Sequence, residues 1–184
     1  MTNRWAWALP LAALLTSPGC ANGGSNLPVM GQAAPGGYRL GPGDELRVVV
    51  IGLDAMNSNY RVDDTGAIAL PMLSPINVDG KTVREAEAMI SDSIRTRNIV
   101  IDPKVSAQVQ TYRPFFITGE VQRPGQYPYV PGMSLMSAVA IAGGYTFRAD
   151  TKGATITRAS RKGRAAQDTP VLPGDTIVVP EGWF

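Results

Sequence analysis

Asp64-Thr65-Gly66 is the short motif in this 184-residue chain that points most directly to a reaction. In aspartic proteases such a triplet supplies one of two carboxylates that share a proton and activate water. Its surroundings here argue for a turn instead. A single copy needs a second copy or a symmetric partner, and the preceding residues, Val62-Asp63, put another acid where a catalytic floor calls for an apolar side chain. The remaining close acids are Asp44-Glu45 and Glu85 with Glu87. Adjacent strand residues face opposite ways and do not converge on one substrate atom, and Glu85 is better explained as a helix cap. The chain has no histidine, which excludes His-based acid–base catalysis and His-ligated metal. A nucleophile–base pair would have to join Ser or Thr with Lys, and Lys81-Thr82 and Lys152-Gly153 offer no context for it. No cluster has metal-ligand spacing, and no glycine-rich loop has a phosphate-binding pattern. The expectation is therefore no catalytic, cofactor-binding or metal-binding residue.

The one cysteine, Cys20, permits no intramolecular disulfide, but its setting suggests another chemistry. A basic start, Met1 to Arg4, precedes an apolar run from Trp5 to Leu15, and Thr16-Ser17-Pro18-Gly19 leads into Cys20. The run is too short to span a bilayer and suits a secretory signal peptide. A cysteine in this place resembles the lipobox of bacterial lipoproteins, with Gly19 fitting the pattern while Ser17 and Pro18 depart from it. The reading is a lipoprotein-type signal over 1–20 with Cys20 as the lipidation site. Cleavage after Ala21, which would remove Cys20, is the alternative. Ala21 is not the aspartate associated with inner-membrane retention, so the lipobox resemblance implies the outer membrane.

The elements that would position any site lie beyond residue 37. Residues 21–37 hold glycine and proline without hydrophobic periodicity and read as a flexible tether. Leu46 to Ile51 is a β-branched run, and Arg61 to Gly66 turns into Ala67 to Leu70 as a hairpin-like pattern. Asn77 to Gly80 reads as a further turn. Thr82 and Glu85 form a capping box for a helix to about Arg95, with Val83, Ala86, Ile90 and Ile94 on one face. Lys104 to Gln110 alternates as a half-buried strand. Phe115-Phe116-Ile117 begins a strand that breaks at Thr118 to Glu120, turns at Pro124-Gly125 and returns over Gln126 to Val130. Ser134 caps a helix from Leu135 to Ala142 that is apolar almost all round and is expected to be buried; Gly143-Gly144 ends it. Gly153 to Arg158 and Thr176 to Pro180 supply two strands around a polar turn, Ser160 to Asp168. Pro-Gly-Asp occurs twice, at 42–44 and 173–175, each before a β run; its Asp can bond backbone N–H groups where the strand starts. A duplicated ligand loop is the alternative reading of that repeat. These patterns predict an α+β chain of two lobes, with short mixed strands, one main helix in each, and a boundary near 110–114.

Composition fits a folded, unspecialised surface. Lys plus Arg number 17 against 15 acids, a formal net charge of +2, which gives no footprint for nucleic acid. Tyr112, Phe115, Phe116, Tyr127, Tyr129, Tyr145 and Phe147 concentrate in the second half. Their aromatic faces could stack on sugar rings, but core or subunit packing is the reading favoured for most. Tyr127 and Tyr129, two apart, are expected on one sheet face.

Taken in order, Tyr38 to Leu46, the Asp64 to Pro71 segment and the Thr82 helix resemble the polysaccharide export domain of bacterial outer-membrane exporters. Phe116 to Pro128 and Ala138 to Gly144 resemble the SLBB (soluble-ligand-binding β-grasp) domain that follows it in the Wza-like family, of the kind found with xanthan- and acetan-like systems. The resemblance places the export domain at 38–112 and the SLBB domain, with its terminal Pro-Gly-Asp strand, at 113–184. It implies a homo-oligomeric periplasmic ring, lipid-anchored at the outer membrane, through which polysaccharide passes. It also implies an inner-membrane polysaccharide co-polymerase as partner. Large members continue into a membrane-crossing helix; this chain runs to Gly182-Trp183-Phe184 without one, so a separate outer-membrane pore protein is expected. The alternative is a monomeric periplasmic β-grasp module that binds a soluble glycan or other ligand.

Overall fold

The computed structural model describes residues 27–31 and 37–182. The signal segment and Cys20, most of the 21–37 tether, and the last two residues lie outside them. In chain order the elements are β1 (Glu45–Val50), β2 (Ser58–Arg61), β3 (Ala67–Ile68), β4 (Ile76–Asn77), α1 (Val83–Thr96), β5 (Val105–Thr111), β6 (Phe115–Gly119), β7 (Gly125–Tyr127), α2 (Leu135–Ile141), β8 (Ala154–Arg158), β9 (Arg161–Ala165) and β10 (Thr176–Val179). They form an α+β fold with two separate hydrophobic clusters, one drawn from residues 40–107 and the other from 115–179.

In the first lobe β1 sits between β2 and β5 in an antiparallel sheet ordered β2-β1-β5. The β-branched run supplies its centre, with Leu46, Val48 and Val50 fully buried on one face. Helix α1 lays Ala86, Ile90 and Ile94 on that face, and all three are inaccessible to solvent. Thr82 accepts the Glu85 N–H while the Glu85 carboxylate accepts the Thr82 N–H at 2.7 Å, so the capping box forms as its sequence predicts. The Asp63 to Gly66 turn also forms. Its following strand pairs elsewhere, however: Ala67 and Ile68 pair with Asn77 and Ile76, while β2 pairs with β1. The hairpin expected across Gly66 is thus two different ladders, because the turn re-aims the chain. Asn77, expected only in a turn, ends the second ladder.

In the second lobe a mixed five-stranded sheet, ordered β7-β6-β10-β8-β9, packs one face on α2. β6 and β10 run parallel and the other pairs antiparallel. Three expectations need correction. The return strand is short, Gly125–Tyr127 rather than Gln126 to Val130, since Pro128 and Pro131 have no N–H to donate to a ladder. The segment expected as a polar turn contains β9, whose Gly163 and Ala165 are buried while Arg161, Lys162 and Arg164 are exposed. Helix α2 is not buried all round. Leu135, Ala138, Val139 and Ala142 face the core, but Met136 is 44% exposed and Ile141 39%. Its composition is apolar on a face that the described residues leave uncovered.

The edge strand β9 is covered by the chain itself. Met30 donates its N–H to the Arg164 carbonyl at 2.6 Å, and Arg164 donates to the Pro28 carbonyl at 2.8 Å. Pro28 to Met30 thereby adds a short parallel bridge to an edge that would otherwise present unpaired backbone groups.

Candidate interlobe site

Both Pro-Gly-Asp repeats fold into the same turn. In each, the Asp N–H returns to the carbonyl three residues earlier at 3.1 Å, Asp44 to Gly41 and Asp175 to Leu172. Pro occupies the second position and Gly the third, with φ of 95° at Gly43 and 82° at Gly174. That is the arrangement of a type II turn, which needs a residue without Cβ at its third position. The Asp side chain then folds back. Asp44 Oδ2 accepts the Gly41 N–H at 2.9 Å, and Asp175 Oδ2 accepts the Leu172 N–H at 2.8 Å.

Each carboxylate is completely buried and each has an arginine partner that sequence reasoning missed. Arg158 holds Asp175 in a two-pronged pair, Nε to Oδ1 at 2.9 Å and Nη2 to Oδ2 at 2.8 Å, and also donates to the Pro170 carbonyl at 2.9 Å. Arg113 meets Asp44 differently: its backbone N–H donates to Oδ1 at 2.8 Å and its guanidinium to Oδ2 at 3.1 Å. The only hint in the sequence was that a buried carboxylate demands a cation. Nothing in the spacing says that the cations stand 69 and 17 residues away.

Arg113 lies where the lobes meet. A Cβ placed on Gly41 would sit 2.4 Å from its Nη1, and one on Gly174 would sit 2.8 Å from its Nε. Its side chain thus fills the space between the two Pro-Gly-Asp turns, and Gly174 donates its N–H to the Pro114 carbonyl at 3.0 Å beside it. A chain of tyrosines spans the same junction. Tyr38 meets Tyr112 edge-on at 5.0 Å between ring centroids, and Tyr112 meets Tyr129 at 5.4 Å. The Arg113 guanidinium lies over the Tyr38 ring, and the Tyr38 hydroxyl donates to Asp44 Oδ2 at 2.5 Å. Burial, reinforced by that bond to a carboxylate, pushes the Tyr38 phenol far above its ordinary range. Tyr129 therefore does not share a sheet face with Tyr127 as expected. Tyr127 stacks on Phe115, while Tyr129, past the end of β7, turns to the junction.

Around this junction lies a cleft of about 680 Å³. Its lining includes Tyr38, Tyr112 and Tyr129, together with Arg158 at the end of β8 and Arg161 and Lys162 at the start of β9. Pro28 to Gly31 closes a side.

The remaining singled-out residues have local roles. Asp63 Oδ1 accepts from the Thr65 N–H, the Thr65 hydroxyl and the Ala67 N–H at 2.9, 2.7 and 2.9 Å. Those bonds, the Thr65 hydroxyl first, hold its carboxyl below the usual range, and Asp63, Asp64 and Thr65 are all exposed. The triplet is a solvated turn. Phe115 is core, Phe116 on the opposite sheet face is 45% exposed, and Phe147 is 89% exposed. Among the described residues no group of three or more Cys, Asp or Glu could hold a metal ion, and no helix is long and apolar enough to cross a membrane.

Comparison with known proteins follows this two-lobed plan. Residues 32–110 match the polysaccharide biosynthesis/export protein family, and residues 114–169 match the SLBB domain. The chain is 35% identical over 118 residues to the exopolysaccharide production protein ExoF of Rhizobium meliloti (strain 1021), a match covering 58% of this chain and 28% of that protein. It is 29% identical over 112 residues to the polysialic acid transport protein KpsD of Escherichia coli, covering 58% of this chain and 19% of that one. The matched region thus spans well under a third of the length of these relatives.

Proposed function

The chain belongs to the Wza-like polysaccharide export proteins, and from that premise we propose that it is a non-enzymatic component of an exopolysaccharide or capsule export machine. In this reading identical subunits form a periplasmic ring at the outer membrane, and polysaccharide passes through it. The observation that carries the proposal is the ordered pair of domains, 32–110 then 114–169, joined through a filled and hydrogen-bonded junction. A conduit needs stiff subunits and firm contacts between them. The junction supplies the stiffness, and exposed apolar residues on two separate faces, Met136 and Ile141 on α2 and Phe116 across the sheet, supply surface for contact.

We further propose a lipid anchor at Cys20, an inner-membrane polysaccharide co-polymerase that delivers polymer, and a separate outer-membrane pore protein. The domain limits that accompany this reading are 1–20, 21–37, 38–112 and 113–184. Light scattering of the detergent-extracted protein tests the ring; a strictly monomeric particle at high concentration sinks it. That result would favour a monomeric glycan-binding module, a reading which the cleft itself supports. Incorporation of labelled palmitate into the wild type and its loss in Cys20→Ser tests the anchor. An unlabelled wild type would end that idea.

A further inference from the structure

We infer that the cleft between the lobes binds a short stretch of acidic glycan. The inference rests on the export reading for the source of the glycan and on the cleft's own chemistry for its class.

Size comes first: about 680 Å³ falls within the range of small-ligand sites, roughly 300–1,000 Å³. Charge is the second observation. Among the described residues the lining includes Arg39, Arg113, Arg158, Arg161 and Lys162 and not one acid. The buried carboxylates of Asp44 and Asp175 lie behind Arg113 and Arg158, so the floor is neutralised from within. Arg39 stands 3.8 Å from Glu85, both well exposed, a pairing that solvent screens. Arg161 and Lys162, exposed at the start of β9, have no ion pair among the described residues. A chain whose formal charge is only +2 thus concentrates uncompensated cations at the mouth of one cleft.

The third observation is the tyrosine wall. Tyr38, Tyr112 and Tyr129 are half-buried, and each meets its neighbour edge-on, so their rings are held in place while part of each remains accessible. The C–H face of a sugar ring stacks on such a surface, and carboxylates on the same chain pair with guanidinium and ammonium groups across the cleft. A purely anionic ligand would not use the rings, and a neutral glycan would leave the cations without partners. An acidic saccharide, such as a uronate-bearing oligomer, uses both.

Isothermal titration of the full chain tests this with trigalacturonate as probe, maltotriose as the neutral comparison and poly-glutamate as a non-sugar polyanion. Trigalacturonate should bind, and both comparisons at least about tenfold more weakly, a gap of about 1.4 kcal/mol. Arg161→Ala combined with Lys162→Ala removes two exposed side chains from the start of β9 and leaves its backbone ladder in place; it should weaken trigalacturonate about tenfold and keep the wild-type thermal melt. No binding by the wild type, equal binding of poly-glutamate or maltotriose, or unchanged affinity in the double variant would overturn the site. Restoration of polymer secretion in a deletion strain, scored separately, judges the export reading. Secretion without probe binding defeats the cleft alone, and probe binding supports the cleft even in a strain that fails to secrete.

Discussion

Arg158→Met removes the cation of the better-formed Asp–Arg pair while keeping an unbranched chain of similar reach. Asp175, with no solvent exposure, would lose two charge-assisted hydrogen bonds at 2.9 and 2.8 Å and keep only the Leu172 N–H at 2.8 Å. The Pro170 carbonyl would lose its donor at 2.9 Å. Removing one member of a buried pair costs about 3–5 kcal/mol, because the other charge is stranded. The Arg158 side chain keeps 14% exposure, which places the expectation at the lower end, about 3 kcal/mol. Against a total stability of about 5–15 kcal/mol this is a large fraction. Urea titration followed by far-UV circular dichroism should show the midpoint falling by about 1–3 M for an m-value of about 1–3 kcal/mol/M. Adding Asp175→Asn should recover part of the loss, since the stranded charge is gone, giving a coupling of about 2 kcal/mol in the double-mutant cycle. Arg113→Met should cost less, about 1–2 kcal/mol. Its guanidinium makes a single hydrogen bond to the carboxylate, at 3.1 Å, and is 28% exposed, and Asp44 keeps the Tyr38 hydroxyl and two backbone donors. A loss below about 1 kcal/mol for Arg158→Met, strict additivity with Asp175→Asn, or a reversed ranking of the two arginines would refute the reasoning.

Three further outcomes are expected. Gly119→Ala forces a Cβ to within 2.1 Å of the Val179 carbonyl oxygen at a φ of 86°, so a loss of about 3 kcal/mol or more should appear in thermal melts; a wild-type melt would show that the β6–β10 approach is looser than described. Thr82→Ala deletes half of the capping box and should lower stability by about 1 kcal/mol in urea titration, with Thr82→Ser close to wild type. Tyr38 holds its proton more tightly when folded, because of burial and then its bond to Asp44, so the stability it adds is complete below about pH 10 and declines as pH rises beyond that. Urea midpoints across that alkaline range should fall more steeply for the wild type than for Tyr38→Phe, and parallel slopes would contradict this.

Much of the fold was legible because its signals are local. The capping box at Thr82, the apolar spacing of Ala86, Ile90 and Ile94, and the β-branched run in β1 each specify an element from within a few residues. The Pro-Gly-Asp repeat likewise announced two strand starts, with its Asp bonded to nearby backbone as anticipated. Misreadings arose where partners were distant. Ala67 and Ile68 look like half of a hairpin, yet their ladder is with Ile76 and Asn77. β9 looks like a polar turn because Arg161, Lys162 and Arg164 face solvent, and its pairing with β8 was hidden behind them. Helix α2 was expected to be buried because composition reports hydrophobicity, whereas burial depends on what packs against each face.

From sequence alone came the α+β class, the two-lobed order, the absence of histidine and the reading of Asp64-Thr65-Gly66 as a turn. Each depends on residue type or on spacing along the chain. The cleft is of another kind. Tyr38, Tyr112 and Tyr129, Arg113 between its two turns, and the cations at the joined ends of β8 and β9 come from stretches up to 124 positions apart (38 to 162). Linear spacing carries no information about such a meeting, because it is decided by how two independently patterned lobes close on one another. Only the folded chain brings them to one place.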